Sequence, residues 1–127
     1  MRRLIPLALA VLAALGLWRL MAVPGTAPPP GPDDIARAST LRPDNPALAA
    51  IYDRSCVTCH ALPDAMAPLT GHVAGWKPRI AERGIDGLVA SARDGFGNMP
   101  AMGLCPDCTE AELMALIDFM SGQGDAS

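Results

Sequence analysis

Cys56-Val57-Thr58-Cys59-His60 is the stretch on which the reading of this chain turns. On a helical turn, positions i, i+3 and i+4 project from one face, so Cys56, Cys59 and His60 point the same way, as one flat ligand requires. Two thiols at this spacing can add to the two vinyl groups of a haem, and the imidazole beside the second thiol then stands under the iron; Cys-x-x-Cys-His is the pattern of c-type haem attachment. Two other uses of the cysteines compete. A thioredoxin-like redox pair needs a βαβ setting, and strand-like alternation is nearly absent here. A structural zinc site would join Cys56 and Cys59 to Cys105 and Cys108, but 45 residues separate the pairs, against about 15–20 in the simple zinc pattern, and zinc would leave His60 unused.

The chain around the motif is short of its own interior. It has 127 residues, 50% hydrophobic and only 4% aromatic, so two large independent domains are excluded. The apolar half is uneven: residues 4–23 form a nearly unbroken greasy run, whereas residues 24–46 hold seven of the thirteen prolines. The folding unit is residues 44–122, and a core of that size needs a disulfide, a metal or a cofactor to hold it. Residues 26–43 read as a Pro-rich linker, with 24–32 as an extended, semi-rigid spacer, and 123–127 as a C-terminal tail.

Met1-Arg2-Arg3 ahead of the apolar run is the opening of an export segment. Residues 1–25 read as a signal peptide or as an uncleaved N-terminal membrane anchor, a 20-residue helix over 4–23 being about 30 Å long. Small residues at Gly25 and Ala27 are followed by Pro28, a poor context for cleavage, which favours the anchor. Either way the rest lies on the periplasmic side of a bacterial inner membrane, membrane-tethered or soluble, where a disulfide can persist. Without the first 23 residues the chain keeps 7 Lys+Arg against 13 Asp+Glu, a net charge of −6. That balance excludes nucleic acid as a partner, since a phosphate backbone is held by clustered Lys and Arg.

The remainder predicts an all-α domain of three to four short helices joined by Gly/Pro loops. Asn45-Pro46 is a capping residue followed by proline at the first helical position, opening a helix with Leu48, Ile51 and Tyr52 on one face that runs into Cys56. A short helix is expected over 75–83 and another over 86–93, the latter ended by Gly95. Thr109-Glu110-Ala111-Glu112 is a capping box for a last helix with Leu113, Leu116, Ile117 and Met120 as its buried stripe and Gly122 as its stop.

A haem held by histidine on one side is completed by methionine in electron-transfer proteins or left open where a small molecule binds. Met99 and Met102 sit in a helix-free loop, and Pro100 biases Met99 away from helical geometry, so Met99 is the favoured sixth ligand and Met102 its competitor.

With these residues in view, the chain resembles the small bacterial monohaem cytochromes c of the c-five type, within the class I cytochromes c. The resemblance rests on Tyr52-x-x-x-Cys56-x-x-Cys59-His60, Ala67-Pro68, Trp76-x-Pro78-Arg79-Ile80, Met99-Pro100, Cys105-x-x-Cys108 and Leu116-Ile117-Asp118-Phe119-Met120. It implies the compact class I fold, one haem c bound through Cys56 and Cys59, and His60 and Met99 as axial ligands. It also implies a Cys105–Cys108 disulfide, the Pro68 carbonyl as acceptor for the histidine, and Trp76 and Arg79 near the haem propionates. The chain departs from the family at Ala101, where a second proline is usual. His72 is expected as an exposed loop residue, and Tyr52, Phe96 and Phe119 as crevice wall.

The function expected is one-electron transfer without bond chemistry, from a quinol-oxidising complex to a terminal oxidase or reductase of the respiratory chain, by a monomer or weak dimer. The rivals are a haem-based sensor or peroxidase-like enzyme with a labile sixth ligand, and a zinc-stabilised interaction module.

Overall fold

A computed structural model describes residues 27–123, and its regular structure is helical. The helices are α1 (Pro32–Thr40), α2 (Pro46–Arg54), α3 (Val57–His60), α4 (Val73–Asp94) and α5 (Glu110–Ser121), with 3-10 turns at Pro63–Ala65 and Ala101–Leu104. Among the described residues there is no strand, only one bridge pairing Phe96 with Met99. None of these helices is long and apolar enough to cross a membrane; the expected export segment, residues 1–25, lies outside the described residues.

Capping chemistry sets most of the boundaries. The Asn45 side-chain oxygen accepts from the amides of Ala47 and Leu48, with Pro46 at the first helical position of α2. Thr109 and Glu112 close the capping box of α5, and Gly122 ends that helix in the left-handed region at φ 71°. Thr109→Ala is expected to cost about 1 kcal/mol, read by denaturant unfolding. The Thr109 amide, and then its hydroxyl, hold the Glu112 carboxyl below its usual range. Because that folded pKa lies below the unfolded one, the cap is at full strength above about pH 4 and weakens as pH falls through the lowered value. Glu112→Gln should flatten this acid limb of the stability curve.

One difference from the sequence reading has a local cause. Residues 32–40, expected as linker, form α1: Pro32 sits at a position that needs no amide donor, Asp33 and Asp34 occupy the first turn, and the Asp34 carboxylate accepts from the Gly31 amide at 3.0 Å. Ala38 is fully buried, and Arg37 donates to the Gly71 carbonyl at 3.4 Å, so this helix lies against the domain. The helices expected at 75–83 and 86–93 are present as the two halves of α4, parted at Gly84, whose φ 66° and ψ 174° break the spiral. Only glycine adopts that conformation readily. A Cβ at Gly84 would meet nothing within 4 Å, so Gly84→Ala isolates the backbone strain and should destabilise the fold by about 1–3 kcal/mol in chemical denaturation.

The core joins Ile51 and Tyr52 of α2, Trp76, Leu88, Val89 and Ala92 of α4, and the Leu113, Leu116, Ile117, Met120 stripe of α5. The bend at Gly84 lets both halves of α4 contribute to that core while leaving a hollow between them.

Candidate functional site

The hollow is a cavity of about 690 Å³, in a protein small enough that a packed interior should hold few voids larger than a water molecule. Cys59 and His60 form part of one wall; Met99, Leu88, Ile117 and Met120 contribute others. Cys56 is in right-handed helical geometry at φ −62° and ψ −39°, so the motif is one helical turn, entered through the break at Ser55. Its thiol is half-buried, and burial pushes its pKa up.

His60 is buried, with Nδ1 at 2.8 Å from the Pro68 carbonyl. A carbonyl only accepts, so Nδ1 carries the proton and Nε2 keeps its lone pair. Burial pushes the His60 pKa down, the Pro68 carbonyl pulls the other way and the Arg79 charge adds to the depression; the net effect is the neutral imidazole that a metal needs. The Pro68–Gly71 loop is itself fastened. The Thr70 amide donates to the His60 carbonyl at 2.8 Å, the Thr70 hydroxyl is 2.8 Å from that of Tyr52, and the Gly71 amide donates to the Met120 carbonyl at 2.8 Å.

Met99 reaches the cavity by a different device. Phe96 and Met99 exchange backbone hydrogen bonds of 3.0 and 2.9 Å across Gly97-Asn98, with Gly97 at φ 57°. This tight turn, entered from Gly95, presents the thioether to the hollow. Gly95 combines φ 89° with a packing limit: a Cβ there would lie 3.1 Å from the Ala101 amide nitrogen and 3.2 Å from the Met99 carbonyl oxygen. Met102, the competing sulfur, packs against the core and does not line the cavity.

The other expected residues divide. Arg79 lines the cavity, with one guanidinium nitrogen donating to the Gly75 carbonyl at 2.6 Å. Trp76 is buried; its indole N–H donates to the Leu69 carbonyl at 2.9 Å, and its ring stacks beside the His60 ring at 5.6 Å between centroids. That N–H is therefore engaged by the backbone and is not offered to a carboxylate. Tyr52 and Phe119, expected as crevice wall, pack edge to face at 5.4 Å away from the cavity lining, whereas Phe96 does line it. His72, expected in the open, is buried at the start of α4, because its ring packs over the small Gly75. Cys105 and Cys108 are buried with Cα atoms 5.4 Å apart, in disulfide geometry. Arg54, not singled out in the sequence, grips that turn: it donates twice to the Asp107 carboxylate, both at 2.9 Å, and once to Cys105 Sγ at 3.3 Å. A contact across 53 positions leaves no local signal in sequence.

Among the described residues no cluster of three or more His, Cys, Asp or Glu side chains converges as a metal site, so the two cysteine pairs do not assemble a zinc centre. A largely apolar cleft, an imidazole and a thioether on its walls, and two neighbouring free thiols fit a haem c instead.

Comparison with known proteins agrees. The family model described as cytochrome c oxidase, cbb3-type, subunit III matches residues 43–120. Cytochrome c5 of Azotobacter vinelandii is 44% identical over 73 residues, 57% of this chain and 88% of that protein. Cytochrome c5 of Ectopseudomonas mendocina is 40% identical over 73 residues, covering 57% and 84% of the two chains. Cytochrome c-555 of Chlorobaculum tepidum is 39% identical over 84 residues, covering 63% and 77%.

Proposed function

We propose, from the premise that this chain belongs to the class I cytochromes c as a small monohaem member of the c-five type, that it is an exported one-electron carrier with His60 and Met99 as axial ligands. Its cofactor is one covalently bound haem c, which supplies a reversible one-electron couple at iron. The observation that carries the reading is that His60, with its Nδ1 proton committed to Pro68, and Met99, presented by the Phe96–Met99 turn, line the same cavity.

Each residue has a task in this reading. Cys56 and Cys59 give the thioether links, fixing the cofactor in register with the His60 turn. Pro68 sets the tautomer and orientation of His60 and raises its basicity as a ligand. Trp76 flanks the His60 ring, so it supports the ligand through stacking rather than through a hydrogen bond to a propionate. Arg79, which with Arg83 is one of two arginines lining the cavity, is the cation beside the His60 ring that can pair with a propionate. The Cys105–Cys108 disulfide, gripped by Arg54, fixes the turn between the Met99 loop and the Thr109 cap. With side chains on both axial positions, no site remains for a substrate, which separates this reading from a sensor or peroxidase-like enzyme.

The partners are redox proteins: a quinol-oxidising complex as donor and a terminal oxidase or reductase as acceptor, met through a small, short-lived interface by a monomer or weak dimer. Residues 1–25 export the chain and hold it to the inner membrane. Mass analysis of the membrane fraction should find the N-terminus intact; a soluble chain beginning near Pro28 would replace the tether with a cleaved signal. The decisive experiment is an optical redox titration of the purified protein. One one-electron wave and a sulfur-to-iron charge-transfer band in the oxidised form are expected. A five-coordinate ferrous form that binds carbon monoxide readily would overturn the carrier in favour of the enzyme.

A further inference from the structure

Arg83 has an arrangement that the ligand set does not use. The helix breaks immediately after it at Gly84, and a Cβ on Gly87 would come within 2.8 Å of the Arg83 Cβ, so two glycines clear its path. The guanidinium then lies 3.7 Å from the centre of the Phe96 ring and donates to the Ser91 hydroxyl at 3.1 Å, while Ser91 donates to the Gly87 carbonyl at 2.8 Å. Among the described residues the carboxylate paired with Arg83 is that of Glu82, 3.8 Å away, too far for a hydrogen bond. Phe96 is 55% exposed and lines the cavity together with Arg83 and Ser91, and its backbone holds both hydrogen bonds of the turn that presents Met99. A planar guanidinium over an aromatic face is an attractive contact, stronger where solvent is partly excluded.

We propose that Arg83 is a positioning residue for Met99, acting through Phe96: by stacking on the ring it holds the Phe96–Met99 turn closed over the cavity and slows departure of the thioether from the iron. The proposal rests on the assignment of Met99 as axial ligand. Its effect is on how often the sixth position opens, and not on which residue fills it.

Carbon monoxide binding to the reduced holoprotein reads that opening directly, because the gas can enter only when Met99 has left. Arg83→Gln and Phe96→Leu should each raise the binding rate about three- to tenfold, the change in equilibrium that a partly shielded cation–π contact carries. The double variant should show no more than the larger single effect, since both changes remove one contact. Arg83→Lys, which keeps the charge but loses the planar stack, should fall between wild type and Arg83→Gln. An unchanged rate in Arg83→Gln, or single effects that multiply in the double variant, would overturn the brace; so would a Phe96→Leu rate equal to wild type, which would leave Arg83 acting only by charge. Met99→Leu distinguishes this from failure of the ligand assignment. If it abolishes the charge-transfer band while Arg83→Gln changes nothing, the brace alone is wrong; if the band survives Met99→Leu, the ligand assignment itself falls.

Discussion

Expressed in a host able to attach haem c, a Cys56→Ser, Cys59→Ser chain emerges colourless, at the mass of bare polypeptide, and without the circular-dichroism signal of a folded helical domain. The covalent part follows from the loss of both thiols. The loss of fold follows from size: the cofactor fills a cavity of about 690 Å³, and a domain this small depends on a bound group to complete its core. Leu88, Ile117 and Met120 pack in the core and face the hollow at the same time, so the cofactor and the core share one wall. Intact mass under denaturing conditions and far-ultraviolet dichroism check the two halves separately. A colourless variant that unfolds at the wild-type midpoint would show that the walls stand without their filling.

Met99→Leu should give a chain that still carries covalent haem but has lost the charge-transfer band of the oxidised form, binds carbon monoxide when reduced, and has a lower reduction potential, since a thioether ligand favours the reduced state. Met102→Leu is the matched control. Met102 packs against the core with φ 62° and does not line the cavity, so its replacement should keep the band and the potential and cost less than about 1.5 kcal/mol of stability. If the two variants exchange these behaviours, Met102 is the ligand.

What could be read from sequence depended on how local its cause is. The Asn45-Pro46 and Thr109–Glu112 starts and the Gly95 and Gly122 ends are fixed by chemistry within four residues, and they stand where the pattern puts them. The face shared by Cys56, Cys59 and His60 is equally local. Helix α1 escaped because proline density suggested an extended spacer, although Gly31-Pro32-Asp33-Asp34 is itself a helix start and Ile35, Ala38 and Leu41 recur along one side. Long-range placements had no such signal. Nothing near His72 says that Gly75 will receive its ring, nothing near Tyr52 or Phe119 says they pack against each other behind the site, and nothing near Arg54 points to Asp107. The break at Gly84 is legible in the gap between the helices expected over 75–83 and 86–93, but nothing near it says that Arg83 stacks on Phe96.

The half-burial of Cys56 fixes a timetable for maturation. In a chain folded before attachment this thiol is half-buried, and burial pushes its pKa up, away from the nucleophilic thiolate, while Met99, on another wall of the cavity, lies 39 residues beyond His60. Thioether formation is therefore expected before the domain closes, when Cys-x-x-Cys-His is still a short open peptide. The cofactor then enters as a folding nucleus, and the polypeptide closes around a passenger already on board.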